Sequence, residues 1–90
     1  MNVKDALKLI EDEHQQAISH YPPFASAHEG FAVLLEEVTE LQAEIFKNYK
    51  LRDYDAIRKE SIQVAAMALR LLIEVSPKAN SIETQVELGS

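Results

Sequence analysis

Apolar residues recur at helical spacing in three stretches of the chain, and turn-forming residues separate them. In the first, Val3, Ala6, Leu7, Ile10, His14, Ala17 and Ile18 share one face, while Lys4, Lys8, Glu11 and Gln15 fall elsewhere. Asn2 can cap this helix, with Asp5 three residues on in a loose capping box. The helix is predicted to end near Ser19 or His20, because Tyr21-Pro22-Pro23 cannot continue it. The second stretch opens on Ser26-Ala27-His28-Glu29, which has the form of a capping box. From His28 to Lys47 a stripe of Phe31, Leu34, Leu35, Val38, Leu41 and Ile45 predicts a helix ending near Asn48, about 33 Å long at 1.5 Å per residue. Gly30 lies near its start, where a missing side chain lets another element come close. Asp53 or Asp55 can begin the third helix, whose buried side is expected to be Ile57, Val64, Met67, Ala68, Leu71, Leu72 and Val75, with Pro77 just past its end. Its run Val64 to Ala68 is rich in small residues and suits close packing. A short polar link makes the second and third helices an antiparallel hairpin. Ser81 to Leu88 is expected to add one short helical or extended piece.

Composition agrees with an all-α reading. Two glycines and three prolines leave little turn chemistry for strands. Ninety residues make one domain (1–90), and a chain this short has a thin core that association would support. The expected subunit is therefore an antiparallel helical bundle of three main helices plus a C-terminal segment at 77–90. A net charge of −6 speaks against a nucleic-acid backbone as partner. The absence of cysteine removes disulfides, thiolate metal sites and cysteine nucleophiles, and fits a reducing compartment. With no bilayer-length apolar run and no signal core, the expectation is a soluble, cytoplasmic protein without a membrane partner.

The chemistry concentrates on the second helix. Glu36-Glu37-Val38-Thr39-Glu40 places Glu37 three residues and Glu36 four residues before Glu40, so the carboxylates gather along one side. By itself such a run is more often a solvated acidic face. Glu60 and Gln63, one turn apart early in the third helix, change that balance. In an antiparallel hairpin they face Glu37 and Glu40, bringing three carboxylates and an amide oxygen towards one point. Such a set suits one or two Mg²⁺ ions that keep some of their waters and hold a triphosphate. The loop Tyr21 to Ala25 carries Tyr21 and Phe24 around the diproline, either as core closure or as a wall for a planar ligand such as a base. Lys47, Lys50 and Arg52 complement the helix C-terminus and can also meet phosphate. His14, His20 and His28 lack zinc-site spacing, and no glycine-rich phosphate loop or serine triad is present.

Glu36-Glu37-Val38-Thr39-Glu40 followed on the next helix by Glu60-Ser61-Ile62-Gln63 resembles the EExxE and ExxD signature of the MazG-like, all-α nucleoside triphosphate pyrophosphohydrolases. HEGFAVLLEEVTEL and KESIQVAAMALRLL carry the resemblance, which covers about residues 20–75. It implies a homodimer or homotetramer that uses Mg²⁺, with Mn²⁺ as a substitute, to cleave a nucleoside triphosphate between its α and β phosphates. Carried over, Glu37, Glu40 and Glu60 are metal-binding acids, and Glu36 is a second-site ligand or water orienter. The catalytic set is then Glu36, Glu37, Glu40 and Glu60, and the metal set Glu37, Glu40, Glu60 and Gln63. Gln63 stands where the family usually has Asp. An amide oxygen can ligate a metal, but it brings no charge and cannot act as a base. Candidates for substrate contact are Tyr21, Phe24 and His28 on the base side, where Phe31 is a further candidate but is expected rather in the core, and Lys47, Lys50, Arg52 and Arg58 on the phosphate side. Phosphoribosyl-ATP pyrophosphatase, a relative, fits less well because its second motif carries Asp and an aromatic-His pair where this chain has Gln63-Val64-Ala65-Ala66. The alternative function is a non-catalytic helical module, a nucleotide sensor or an oligomerising interaction protein on the same scaffold. Gln63 favours that alternative and the four glutamates favour the enzyme.

Overall fold

A computed structural model of the chain describes residues 1–75. The expectations for Pro77, for Ser81 to Leu88 and for the 77–90 segment lie outside the described residues. Three helices follow one another: α1 (Val3–His20), α2 (Ala27–Ile45) and α3 (Tyr54–Val75), with a 3₁₀ turn at Tyr49–Leu51. Among the described residues there is no strand.

Each helix starts where its cap was expected. Asn2 Oδ1 accepts from Asp5 N at 2.8 Å, and Ser26 Oγ accepts from Glu29 N at 3.1 Å. Glu29 reaches back one residue further than a capping box requires, accepting from Ala25 N at 3.1 Å. For α3 it is Asp53 that caps, taking the N–H groups of both Asp55 and Ala56. α2 stops at Ile45, short of the expected Asn48, because Asn48 instead caps the 3₁₀ turn, its Oδ1 accepting from Lys50 N.

Helix α3 is the centre of the molecule. Both α1 and α2 pack closely on it, while the backbones of α1 and α2 do not approach each other. Glu13 meets Gln63 and the Pro22 carbonyl meets Arg70, so α1 runs parallel to α3. Phe24 N meets Glu74, so α2 enters beside the end of α3 and runs antiparallel to it.

This arrangement rotates the buried faces away from the expected stripes. The core is Ala17, Ala66 and Met67, with Ile10, Phe24, Val33 and Leu34 packed against it. Ala66 is fully enclosed at 0% exposure, which is the close approach that the small-residue run permits. On α1, Val3, Leu7 and Ile18 were expected inside and are exposed. On α3, Leu72 and Ala68 were expected inside and face out, while Arg70 is buried. A helix contacted from two sides buries an arc that spans both valleys, and here that arc includes Gln63, Arg70 and Glu74. Phe31, at 57% exposure, lies outside the core.

Candidate functional site

The α2–α3 hairpin brings Glu37, Glu40 and Glu60 together, with one carboxylate oxygen of each within 4.8 Å of the others. The i, i+3 spacing sets Glu37 and Glu40 on one side of α2, and the antiparallel pairing delivers Glu60 from the first turns of α3. Burial pushes the Glu37 carboxyl above its ordinary value of 4.5, and the charges of Glu40 and Glu60 push it further. Glu60 is raised in the same way, first by burial and then by Glu40, with Lys59 opposing. The Oε2 atom of Glu60 is sealed from solvent and has no hydrogen-bond partner. Crowded carboxylates with an orphaned buried oxygen have the donor chemistry that a hard divalent cation satisfies.

Glu37 also belongs to a second feature. Because α1 and α2 stand apart, a cleft of about 650 Å³ opens between them with α3 as its floor. Glu36, Glu37 and Gln63 line one part of it, and Tyr21, Phe24 and Arg70 line another. Gln63 sits one turn beyond Glu60, and its amide nitrogen donates to Glu13 on α1. That contact leaves the Gln63 amide oxygen as its remaining acceptor.

The structure separates the remaining expected residues. Tyr21 is exposed on the cleft wall. Phe24 reaches the cleft, but one face of its ring is covered by the Arg70 guanidinium at 4.1 Å. Gly30 leaves the space into which that ring fits, since a Cβ there would lie 2.9 Å from Phe24 Cδ2. Phe24 is thus a strut of the wall. His28 is exposed and lies outside the cleft lining. Lys47 is tied to Glu44 at 2.8 Å. Lys50 lies on the 3₁₀ turn, and Arg58 lines a separate groove between α1 and the start of α3.

Glu13 and Arg70, the charged residues of the cleft that make cross-element contacts without having been expected to, were missed by sequence reasoning. Glu13 was hidden by its charge, although it shares a face with Ile10, His14 and Ala17. Arg70 continues the series Glu60, Gln63, Met67 at helical spacing, and extending the acidic face along α3 would have found it.

The fold and the site define a small all-α protein with a carboxylate cluster at a helical hairpin, beside an open cleft. No protein-family model, no curated protein and no solved structure matches the chain. None of its helices within the described residues is long and apolar enough to cross a membrane.

Proposed function

We propose that the protein is a Mg²⁺-dependent nucleoside triphosphate pyrophosphohydrolase of the cytoplasm. The observation that carries the reading is the meeting of Glu37, Glu40 and Glu60 within 4.8 Å at the edge of a nucleotide-sized cleft. In this reading Glu37, Glu40 and Glu60 hold the cation, with Mn²⁺ able to replace Mg²⁺. The bound cation supplies charge neutralisation for the triphosphate and lowers the pKa of water. Glu36, exposed beside Glu37, orients the attacking water and accepts its proton. Water adds across the α–β phosphoanhydride, the bridging oxygen leaves with pyrophosphate, and the nucleoside monophosphate remains. Lys47 and Arg58 lie away from the cleft, so phosphate contacts from them require another copy of the chain or a movement of the hairpin ends.

A second copy is part of the proposal. Among the described residues the buried core holds three apolar side chains, while Phe31, Leu35 and Val38 of α2 and Leu72 of α3 are exposed. A homodimer, or a tetramer built from it, covers apolar side chains that one subunit leaves in water.

The test is pyrophosphate release from a panel of NTPs and dNTPs, with Mg²⁺ and with chelator. Metal-dependent release from one or more nucleotides is expected. Silence across the panel in folded protein that binds nucleotide favours the second reading, a non-catalytic nucleotide sensor or interaction module. The neutral Gln63, with its amide engaged by Glu13, is the observation on that side.

A further inference from the structure

A second charged group lies in the cleft, well away from the carboxylates. Arg70 is 4% exposed. Its Nε donates to Glu74 Oε2 at 2.8 Å, its Nη2 donates to the Pro22 carbonyl, and its guanidinium covers the Phe24 ring at 4.1 Å. The other Glu74 oxygen accepts from Phe24 N at 2.7 Å. The guanidinium is held in one pose from three sides, so presenting it to a ligand involves little further ordering.

One nitrogen remains. Among the described residues Nη1 has no protein partner, and it is not one of the sealed, unpartnered atoms, which are His14 Nε2, Arg52 Nε and Glu60 Oε2. Arg70 is one of the residues that line the cleft, and Nη1 is the nitrogen it has left for a ligand there. Arg70 follows Glu60 by ten residues on α3, about 15 Å at 1.5 Å per residue. A nucleotide with its phosphates at the carboxylates extends that far to the outer edge of its base.

Charge decides what suits this end. Glu74 already neutralises Arg70, and Glu13, Glu29, Glu36 and Glu37 line the same cleft. An anion is repelled there. A neutral ring with a carbonyl for the guanidinium, and N–H groups for the carboxylates, is matched on both counts. Guanine and uracil or thymine offer a carbonyl where adenine and cytosine carry an amino group, which would set donor against donor.

We propose that Arg70 reads the base: its Nη1 donates to the carbonyl oxygen of a guanine, uracil or thymine nucleotide lying along the cleft. This deepens, and for its phosphate end rests on, the pyrophosphohydrolase reading. Glu74 is the positioning residue that holds the guanidinium.

The experiment compares dGTP with dATP and dUTP with dCTP, for the full chain and for Arg70→Lys, Arg70→Gln and Glu74→Gln, each checked for folding by helical circular dichroism and melting. The wild type is expected to show KM values about ten- to a hundred-fold lower for dGTP and dUTP, the range for a hydrogen bond to a charged group. Folded Arg70→Lys or Arg70→Gln loses that preference with little change in kcat, and Glu74→Gln, which leaves an acceptor for only one of its two donors, Arg70 Nε and Phe24 N, weakens it. The proposal is overturned by a wild type without the preference. It is equally overturned by folded Arg70 variants that keep the preference, or that lose KM and kcat equally on all four nucleotides, as a purely structural role predicts. If no nucleotide is cleaved, metal-free binding of dGMP against dAMP decides. Tighter dGMP binding supports the base site while the hydrolase reading fails, and equal or absent binding overturns the base site too. Should both Arg70 variants fail to fold, the wild-type dGMP-to-dAMP ratio still decides, and a ratio near one overturns the proposal.

Discussion

Glu37, Glu40 and Glu60 sit closer together than their charges favour, and each raised carboxyl tells how that tension depends on pH. A carboxyl raised in the folded protein binds its proton more tightly there than in the unfolded chain. Between the ordinary value of 4.5 and the raised values of Glu37 and Glu60, the folded state holds more protons, so stability falls as pH rises through that window. Above it the full repulsion is present. Metal-free protein is therefore expected to melt higher at pH 5 than at pH 8, and Mg²⁺ is expected to recover more stability at pH 8. At ten times Kd the recovery is about 1.4 kcal/mol. Glu37→Gln and Glu60→Gln should flatten this pH dependence. Each removes one of the crowded charges, so the apo protein melts higher at pH 8 than the wild type does, while the Mg²⁺-induced shift and the metal-dependent turnover are lost. A variant that keeps full turnover would overturn the assignment of these residues. The EExxE spacing made two of these acids legible in the sequence, and the hairpin inference supplied the third. Gln63 was expected to turn to the same point. Its engagement by Glu13 was not legible, because it depends on how α1 is rotated against α3.

At the scale of elements, caps were written in local chemistry and appear at Asn2 and Ser26 as read, and at Asp53, one of the two residues read for α3. Local chemistry settles a cap because donor and acceptor lie within one turn of each other. Packing at Gly30 is different. A Cβ there would lie 2.5 Å from Leu71 Cδ1 and 2.9 Å from Phe24 Cδ2. Leu71 can rotate aside, whereas the Phe24 ring is held under Arg70. Gly30→Ala gains helix propensity of about 1 kcal/mol and meets overpacking of about 1–3 kcal/mol. The expected net result is a loss of about 1 kcal/mol, seen as a melting point about 4–8 °C lower. Phe24 should also shift off Arg70. An unchanged or raised melting point would show that the aromatic strut is not tightly held.

For the whole molecule, the thin core is the governing fact. No large side chain is fully buried among the described residues, while Phe31 and Leu35 are 57% and 49% exposed on one face of α2. Light scattering is expected to give at least twice the 10.2 kDa chain mass. Phe31→Glu combined with Leu35→Glu should bring it to one chain and lower the melting point. A wild type already at one chain mass would remove the second copy from the proposal. The sequence by itself determined helix number, order and caps, and the acids that could meet. Those features follow from periodicity and from contacts within a turn or two. Only the tertiary structure decided that α3 lies between two helices whose backbones stand apart, that Arg70 is enclosed beside the cleft between them, and that Phe31 and Leu72 face out. Helical periodicity defines an apolar arc, but which part of the arc is covered depends on where neighbouring helices settle around it.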